Sequence, residues 1–482
     1  MARRAVIGLE CHIQLATRTK MFCACPAEFG AAPNTHVCPV CLGLPGALPL
    51  TSGAAVDAAV RLGLALGCEV RETSVFARKN YFYPDMPKNY QITQYDRPLC
   101  VGGSLPVTLD GTERRFALTR VHVEEDTGKS FHPERVGDRR VSRLDFNRAG
   151  VPLLELVTEP VFDDPEACAA FLTTLRRLVR WLGISGGDME KGQLRCDANV
   201  SLRTTPDAPL GTKTEIKNLN TIRGLEHGIR AEIARQGTVL DQGGRVEQAT
   251  LLYDADHDRL AVMRSKEHAH DYRYFPEPDL PLLRVSRAAI DEARTRLPEL
   301  PWDRARRFVA RHGLPAYDAE VLTTERSLAD YFETIVRNGV EAKKASNWVM
   351  TEVLRHTKDR PLADWIERVP AAVLAEAITR VERVTLTGSA AKEILERLFR
   401  DGGDARALFD AHTARGSDDD LLPLVRAVIA EHPGPVEQYR RGKTVTLGFL
   451  VGQVMKKSGG RAVAQRVQEL LRVELVGGDG AP

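Results

Sequence analysis

The sequence lacks most of the features that mark a specialised class of protein. None of its apolar runs approaches the roughly 18 residues that a membrane-spanning helix requires, and aromatic residues make up only 6% of the 482 positions. Neither sign of charge dominates, because 67 Lys and Arg oppose 65 Asp and Glu. We find no internal repeat and no low-complexity tract. These absences leave an ordinary globular chain, long enough for roughly two to four domains.

A secretory signal is also missing, since MARRAVIGLE enters a strand-like pattern too early to be one. We therefore expect a cytoplasmic protein that does not associate with membranes. The balanced charge gives no sign of a nucleic-acid partner, although local basic patches can bind one without affecting the total.

The stretch HVEEDTGKS ends like a phosphate-binding loop but lacks the first glycine of that motif. The pattern G-x-x-x-x-G-K-[ST] requires glycine five positions before Gly128, where Val123 stands. Glu124, Glu125 and Asp126 would also repel phosphates, by roughly 4 kcal/mol per pair of charges at ~4 Å and an effective dielectric of about 20. If this segment meets ATP, we therefore expect a Mg²⁺ ion between the carboxylates and the phosphates.

Nine cysteines, an odd number without a secretory signal, argue against a disulfide framework. Five are solitary, and we expect these to be small buried apolar residues. The other four form a Cys-x-Cys pair and a Cys-x-x-Cys pair, and they are Cys23, Cys25, Cys38 and Cys41. Their spacing predicts a zinc knuckle over residues 23–41. Because four thiolates complete a tetrahedral shell, this zinc would be structural and not catalytic.

The pattern of the chain changes near residue 285. Before it, period-2 alternation and Gly and Pro punctuation predict a strand-rich region; after it, nearly every segment is typical of a short amphipathic helix. The Gly- and Asp-rich segment DGGDARALFDAHTARGSDDD indicates a second hinge, followed by a bundle of about three helices. We predict an α+β protein with domains at residues 1–285, 286–405 and 406–482.

Two helices are predicted within the strand-rich region. The segment DDPEACAAFLTTLRRLVRWLGISGG has Asp164 as its N-cap, Pro165 at its first position and Gly183 as its stop. The segment IRGLEHGIRAEIARQG is predicted to end at Gly237.

Several predicted strands alternate between an apolar face and a face of carboxylate, imidazole and amide groups. In GLECHIQL, Glu10, His12 and Gln14 share one face, and RVHVEED, LRCDANVSLR and KTEIK repeat the pattern. For any single strand, a solvated outer face explains this alternation. Taken together, the strands predict an antiparallel sheet with a concave polar side that offers the oxygen and nitrogen ligands of a hard cation.

Two segments combine basic side chains with aromatic ones. MRSKEHAHDYRYFPEPDL carries Arg264, Lys266 and Arg273, and ARKNYFYPDMPKNYQITQY carries Lys79 and Lys88. Such mixtures suit a phosphate beside a base or ribose. A charged loop that covers the edge of the core is an equal alternative.

Seven ordered segments together resemble the GatB family, which provides one of the chains of the aspartyl/glutamyl-tRNA amidotransferase. They are GLECHIQL, KNYFYPDMPKNYQITQ, HVEEDTGKS, DFNRAGVPLLELVTEP, LRCDANVSLR, TEIKNLN and DYRYFPEPDL, and the similarity continues to GFLVGQVMKKSGG in the tail. The resemblance covers almost the whole chain. It implies an N-terminal antiparallel-sheet cradle domain, an all-α helical domain and a small helical YqeY-like tail domain that contacts tRNA.

The same resemblance implies ATP-dependent transamidation of mischarged Glu-tRNA(Gln) or Asp-tRNA(Asn). A carboxylate must first become an acyl phosphate before ammonia can attack it, and this step needs Mg²⁺ and basic groups. The sequence contains no Gly-x-Cys-x-Gly glutaminase motif and no Ser/Gly-rich amidase signature. The implied partners are therefore an amidase-type A subunit that supplies ammonia through a sealed passage, a small C subunit and the tRNA. A non-discriminating aminoacyl-tRNA synthetase is a candidate additional partner.

The resemblance also implies roles for individual residues. Glu10, His12 and Glu125 are expected to hold Mg²⁺, with Glu124 and Glu155 as further candidates. Strand parity places Glu124 and Glu125 on opposite faces unless a bulge redirects one of them. Our candidates for the catalytic and phosphate-binding cations are Lys79, Lys88, Arg195, Lys217, Arg264, Lys266 and Arg273.

Two departures from the family pattern are visible. Cys11 stands where the family usually has an aliphatic residue, and GGRAVAQ replaces the usual Ala-Asn-Pro of the tail, which affects the expected tail contacts with tRNA. Two other functions remain open at this point. A non-catalytic tRNA-binding scaffold would not release ADP when given Glu-tRNA, ATP and ammonium, whereas a stand-alone ATP-dependent ligase for a small acid would turn over without RNA.

Overall fold

A computed structural model describes residues 3–131, 134–136, 139–205, 208–255, 257–265, 272–413 and 418–476. The chain divides into two compact units, Met1–Leu300 and Pro301–Pro482. The first unit contains the strands and the second is helical. The predicted domain boundaries after residues 285 and 405 remain predictions, and the first compact unit also includes a helix, Arg287–Thr295, that contacts helix Gly53–Ala65.

Within the described residues, the named strands all lie in the first unit. In chain order they are β1 Arg4–Gln14, β2 Glu69–Val70, β3 Thr73–Ser74, β4 Ala77–Asn80, β5 Tyr90–Thr93, β6 Cys100–Val101, β7 Ser104–Leu109, β8 Thr112–Glu125, β9 Lys129–Ser130, β10 Glu134–Val136, β11 Arg139–Val141, β12 Leu144–Asp145, β13 Pro152–Thr158, β14 Leu194–Arg203, β15 Thr214–Leu219, β16 Ala249–Asp254, β17 Arg259–Ser265, β18 Phe275–Pro276 and β19 Leu283–Arg284.

The helices are divided between the units. The first unit contains α1 Gly53–Ala65, α2 Pro165–Trp181, α3 Ile222–Asp241 and α4 Arg287–Thr295. The second contains α5 Pro301–His312, α6 Ala316–Leu322, α7 Arg326–Arg337, α8 Ala342–Trp348, a π-helical turn Val349–Val353, α9 Leu354–His356, α10 Leu362–Arg368, α11 Ala371–Glu382, α12 Gly388–Asp401, α13 Ala405–Ala411, α14 Asp418–Glu431, α15 Pro433–Arg440, α16 Thr446–Lys457 and α17 Ala464–Val476.

One large sheet organises the first unit. Its strands follow the order β17-β16-β15-β14-β1-β13-β8-β6-β2, with β7 also paired to β8. The sheet is mixed, because β15 and β16 run parallel while the other pairs are antiparallel. The sheet is therefore antiparallel as predicted, with the exception of this one pair. Helix α3 lies between β15 and β16 in the chain and supplies the long crossover that a parallel pair needs.

Strand β1 at the centre of the sheet follows the predicted alternation. Its burial alternates residue by residue, with Leu9, Cys11 and Ile13 fully buried on the apolar face. The predicted polar face therefore exists, and its position is fixed because a slip of one residue would turn every apolar side chain of the strand away from the core.

The two predicted helices form, with one difference in length. Helix α2 starts as predicted, with the Asp164 side chain accepting a hydrogen bond from Ala167 N. Helix α3 continues past Gly237 to Asp241, because a glycine inside a helix costs only about 1 kcal/mol relative to alanine and does not by itself end the helix. Helix α1, capped by Ser52, was not predicted specifically.

The C-terminal part of the second unit has its own apolar core. Leu421, Leu450, Val454, Val467 and Leu471 pack together at 0% exposure. Helices α14, α15, α16 and α17 supply this core, so four helices occupy the place where about three were predicted. Helix α13 forms much of the predicted hinge. Residues 414–417 of the hinge lie outside the described residues.

Candidate active site

Three neighbouring strands bring acidic and imidazole side chains together on one side of the sheet. The register places His12 of β1 opposite Glu155 of β13, and Glu155 opposite His122 of β8. Glu10 and Glu124 lie two residues along their strands from the two histidines and share their faces. We call Glu10, His12, His122, Glu124 and Glu155 the acidic cluster.

The imidazole of His12 is surrounded by carboxylates. Its Nε2 atom lies 3.6 Å from oxygens of Glu10, Glu124 and Glu155 alike. The Nε2 atom of His122 lies 3.7 Å from Glu155 and 3.9 Å from Glu124. Three carboxyl groups thus converge on a volume a few ångströms across, which is unfavourable unless protons or a cation neutralise them.

The pKa values of the cluster show which of its side chains carry protons. Burial raises the pKa of Glu124 to about 7, and the charge of Glu155 adds to the rise. Burial would lower the pKa of His12, but its hydrogen bond to Glu155 and the surrounding carboxylates raise that pKa to about 9. Burial would raise the pKa of Glu155, yet His122 and His12 hold it below its usual range. Without a metal, protons on His12 and Glu124 therefore partly neutralise the cluster.

The strand pair β4 and β5 covers part of the polar face, which the sequence did not predict. Thr93 Oγ1 lies 3.2 Å from Glu124 Oε2 and 3.1 Å from His122 Nε2, and Gln94 Oε1 accepts a hydrogen bond from Val123 N. Glu124 and His122 are consequently 1% and 2% exposed. Burial strengthens the electrostatic interactions at the cluster. Within the described residues, the buried His122 Nδ1 has no hydrogen-bond partner.

The cluster matches the donor set of a hard divalent cation. Two groups of ligand atoms, Glu10–His12–Glu155 and His122–Glu124–Glu155, each lie within 4.8 Å of one another. Adjacent and opposite ligands of an octahedral Mg²⁺ are separated by about 3 to 4 Å, given bonds of about 2.1 Å. The 3.6 Å separations around His12 fall in that range. The residues present therefore fit the ion.

Glu125, the next residue after Glu124, lies in a different environment. Its carboxylate forms an ion pair with Lys88 and accepts a hydrogen bond from Ile92 N at 2.9 Å. Gln91 Nε2 donates to the Glu125 carbonyl at 2.7 Å. The structure thus brings Glu124 and Glu155 to Glu10 and His12, and it does not bring Glu125 into that group, although the sequence reasoning favoured Glu125.

The Lys88–Glu125 pair lines a cavity of about 200 Å³. The side chains of Lys88 and Glu125 are only 8% and 2% exposed. Residues of the predicted zinc knuckle, including Cys41, and the Gly43–Pro45 segment that follows it form another part of the wall. We call this space the Lys88–Glu125 pocket.

The remaining predicted cations occupy different environments. Burial would lower the pKa of Lys79, but Glu124, Glu155 and Glu10 raise it, and its Nζ lies 5.0 Å from the Tyr272 ring centroid. Arg195 Nη2 lies 3.0 Å from Asp126.

Lys217 and Arg273 are held by other groups. Lys217 Nζ contacts Asp197 at 2.7 Å and Glu215 at 3.1 Å. The guanidinium of Arg273 lies 5.5 Å from the Phe82 ring centroid. Lys266 and the side chain of Arg264 lie outside the described residues.

In the Gly-Lys-Ser stretch, Lys129 and Ser130 form strand β9, and the backbone around Gly128 is bound by the protein itself. Gly128 N donates to Asp85 O at 2.8 Å, and Arg148 donates to the carbonyls of Thr127 and Gly128. A Cβ at position 128 would lie 3.0 Å from two backbone oxygens, which is closer than most Cβ contacts, so the packing favours glycine. This agrees with the failed spacing of a P-loop.

The four clustered cysteines converge as their spacing predicts. The Sγ atoms of Cys23, Cys25, Cys38 and Cys41 all lie within 4.8 Å of one another, with Cys38 and Cys41 3.9 Å apart. Bonds of about 2.3 Å to a tetrahedral zinc would separate the sulfurs by about 3.8 Å. Hydrogen bonding to Cys23 lowers the pKa of Cys41 to about 4, so the cluster already favours a thiolate. The four residues therefore fit a structural metal ion.

A fully buried lysine fastens the knuckle to the rest of the first unit. Lys20 Nζ donates to His36 O at 2.7 Å and to Phe146 O at 3.2 Å, and it lies 3.6 Å from Cys41 Sγ. A buried ammonium requires partners of this kind. No part of the sequence reasoning identified Lys20.

One literal Gly-x-Ser-x-Gly match, Gly183 to Gly187, is not a nucleophile elbow. It follows helix α2, whereas an elbow connects a strand to a helix. Ser185 is buried, and its Oγ accepts a hydrogen bond from Gly187 N.

The fold and the site together define an α+β protein with a candidate divalent-cation site on its main sheet and a separate tetra-cysteine site. Residues 5–291 match the family model described as the GatB/GatE catalytic domain, and residues 330–475 match the one described as the GatB domain. The chain therefore belongs to the GatB family.

Close relatives span the whole chain. Two of them, from Moorella thermoacetica and Chlorobium phaeobacteroides, are named as the B subunit of the aspartyl/glutamyl-tRNA(Asn/Gln) amidotransferase, and they are 48% and 47% identical to it. The first alignment covers 98% of this chain and 100% of the relative, and the second covers 99% and 100%. No helix within the described residues is long and apolar enough to cross a membrane.

Proposed function

We propose that this chain is the transamidating component of a tRNA-dependent amidotransferase. It converts Glu-tRNA(Gln) to Gln-tRNA(Gln), Asp-tRNA(Asn) to Asn-tRNA(Asn), or both, in the cytoplasm where aminoacyl-tRNAs are used. The names of the full-length relatives support this proposal. The structural observation that carries it is the convergence of three carboxylates on His12 at 3.6 Å, since such a group suits a reaction that must bring a triphosphate to a carboxylate.

The reaction has two steps in which atoms and charge balance. A carboxylate oxygen of the substrate attacks the γ-phosphorus of ATP, the bond to the bridging oxygen breaks, and ADP leaves. Ammonia then attacks the carbonyl carbon of the acyl phosphate, inorganic phosphate leaves, and the amide loses a proton. The first step demands mainly positioning and neutralisation of negative charge.

The acidic cluster supplies the metal site in this proposal. Glu10, His12, Glu124 and Glu155 would hold Mg²⁺, which when bound neutralises phosphate charge and orients the transferred group. Thr93 fixes Glu124 and His122 by hydrogen bonds. Lys79, whose pKa is raised by the same carboxylates despite its burial, stays protonated, and this charge supports a role in stabilising the acyl phosphate.

Further cations surround the cluster. Arg195 lies opposite His12 in the pairing of β1 and β14, and this register supports a role for its guanidinium in binding the phosphates. Lys217 and Arg273 are proposed as more distant contributors to the phosphate field, and Arg264 and Lys266 belong to the same proposed set.

Ammonia comes from a partner. We propose an amidase-type A subunit as its source and a small C subunit as the third component of the complex. The Lys88–Glu125 pocket is the proposed end of the ammonia path, because it is enclosed and its two buried side chains offer a hydrogen-bond donor and an acceptor. A structural zinc in the tetra-cysteine site would hold the wall of this pocket.

The test uses the purified complex with Glu-tRNA(Gln), ATP, Mg²⁺ and ammonium chloride, and measures ADP and Gln-tRNA together. The wild-type complex is expected to form both in equal amounts, and only when tRNA is charged. His12→Ala and Glu10→Gln are expected to lower both rates at least 100-fold. Full activity in these two variants, or ADP formation that requires no tRNA, would overturn the proposal.

A further inference from the structure

Lys20 has one of the largest fully buried side chains of the protein, yet among the described residues its amine forms no ion pair with a carboxylate. Its polar partners are His36 O at 2.7 Å, Phe146 O at 3.2 Å and Cys41 Sγ at 3.6 Å. A buried ammonium is costly unless a negative charge lies close to it. Of these three partners, only the sulfur of Cys41 can carry that charge.

The tetra-cysteine site has the opposite imbalance of charge. Four thiolates around one divalent ion leave a net negative charge of about two. Cys41 is buried, at 5% exposure, whereas the other three cysteines are half-buried. Its Sγ atom also accepts a hydrogen bond from Cys38 N at 3.2 Å. The sulfur that is furthest from water is therefore the one that Lys20 and a backbone N–H approach.

We propose that Lys20 is the counter-ion of the tetra-cysteine site. Its ammonium donates a hydrogen bond to the Cys41 thiolate and offsets one of the negative charges that remain when zinc is bound. Lys20 is thus a positioning residue, because it acts on the metal through Cys41 and contacts neither the acidic cluster nor a substrate. The inference goes beyond the proposed transamidation, since it concerns how the metal is retained.

The same contacts join the metal site to the Lys88–Glu125 pocket. Gly150 lies between the two, because a Cβ at this position would be 3.5 Å from both Cys41 Cβ and the Lys20 side chain and 3.7 Å from Glu125 Oε2. Gly150 and Cys41 both line the pocket. Lys20 therefore holds the buried sulfur and this part of the pocket wall in one packed unit.

A purely mechanical role for Lys20 makes a different prediction, and Asn147 provides the comparison. Asn147 also attaches the knuckle to the rest of the first unit, because its Nδ2 donates to Ala32 O at 2.7 Å and its Oδ1 accepts from His36 N at 2.8 Å. Its side chain carries no charge, and none of its hydrogen bonds among the described residues reaches a cysteine. Asn147→Ala therefore loosens the attachment and leaves the charge of the site unchanged.

The test compares the full-length wild type with Lys20→Gln, Lys20→Met and Asn147→Ala. Glutamine keeps N–H donors for the two carbonyls and removes only the charge, whereas methionine removes both. Zinc affinity is measured by competition with a chelator, and the sulfur-to-metal absorption band is measured after replacement of zinc by Co²⁺. We expect both Lys20 variants to bind zinc about 10- to 100-fold more weakly. Their band should move to longer wavelength, because a sulfur without a nearby cation gives up an electron more easily.

The Lys20→Gln variant decides the outcome. The proposal stands only if this variant weakens zinc binding and shifts the cobalt band while Asn147→Ala does neither. Normal zinc affinity or an unshifted band in Lys20→Gln overturns it, whatever Lys20→Met shows, since only the attachment of the knuckle would then depend on Lys20. Equal losses in Lys20→Gln and Asn147→Ala overturn it for the same reason.

A second variant decides the matter if Lys20→Gln does not fold. Cys25 is half-buried, and Cys25→His gives a Cys₃His shell, which is common for structural zinc and carries one negative charge less. The double variant Lys20→Gln/Cys25→His should therefore recover a soluble protein that binds zinc, and a double variant that also fails to fold overturns the proposal. None of these measurements uses transamidation, so their result is independent of whether the proposed function holds.

Discussion

Glu124 and Glu125 are neighbours on strand β8, yet their carboxylates meet opposite conditions. Glu124 joins two other glutamates and two histidines, and burial raises its pKa to about 7. Glu125 has its own cation, since Lys88 pairs with it in an enclosed pocket. A carboxylate with a matched cation is already neutralised, whereas three carboxylates around one imidazole need protons or a further cation. The contrast shows that the partners of a side chain, and not its residue type, determine whether it is a candidate metal ligand.

The largest expected effect comes from removing the cation of the Lys88–Glu125 pocket. Lys88→Met leaves the Glu125 carboxylate buried without a partner, and breaking a buried pair in this way costs about 3 to 5 kcal/mol. Chemical denaturation of the first unit should show this loss of stability. The double variant Lys88→Met/Glu125→Gln removes the charge as well and should recover most of it. If the single variant is as stable as the wild type, the two side chains do not form the pair described here.

Loss of the tetra-cysteine site should have a smaller effect, and this effect should depend on the nitrogen source. The cysteines belong to the wall of the Lys88–Glu125 pocket and not to the acidic cluster. Cys38→Ser should abolish stoichiometric zinc, measured by elemental analysis. Activity with glutamine as the nitrogen source should fall at least several-fold more than activity with ammonium chloride, because the pocket is disturbed while the cluster is kept. Equal losses with both nitrogen sources would contradict this separation of the two regions.

The acidic cluster should also bind Mg²⁺ with an affinity that depends on pH. Burial and Glu155 raise the pKa of Glu124 to about 7, and the surrounding carboxylates outweigh burial and raise the pKa of His12 to about 9. Protons on these two groups compete with a cation, so the affinity for Mg²⁺ should rise from pH 6 to pH 9, by up to about tenfold per pH unit for each proton released. The same affinity should therefore be weakest at the acidic end of this range.

Calorimetric titration with Mg²⁺ in buffers of different ionisation enthalpy measures the protons released. Glu125→Gln serves as the matched control, because Glu125 lies outside the cluster and its loss should leave the pH dependence unchanged. An affinity that is constant between pH 6 and pH 9 would show that the ion displaces no proton from Glu124 or His12.

Sequence reasoning went furthest where a strand is regular. The alternation of GLECHIQL predicted the two faces of β1, and the spacing of the four cysteines predicted their convergence. The start of helix α2 at its Asp-Pro cap was also predicted. These features depend on local geometry: the period of a strand, the spacing of two tight turns or the capping of a helix. A short stretch of sequence is enough to determine each of them.

The rest depended on contacts between distant segments. The segment HVEEDTGKS alone could not predict that β5 covers Glu124 or that Lys88 lies beside Glu125. Those contacts join residues more than thirty positions apart. Parity predicts opposite faces for the two glutamates, but it could not say which of them would lie beside Glu10 and His12. The parallel pairing of β15 and β16, the four-helix tail and the buried amine of Lys20 are long-range features of the same kind.

The central claim is that Glu124, and not Glu125, belongs to the divalent-cation site. Its most direct test is the binding of Mn²⁺, a spectroscopic substitute for Mg²⁺ with similar oxygen ligands, to zinc-loaded protein followed by electron paramagnetic resonance. The wild type and Glu125→Gln should bind one Mn²⁺ with equal affinity, and Glu124→Gln should bind it at least about tenfold more weakly. Normal binding by Glu124→Gln together with lost binding by Glu125→Gln would contradict the account.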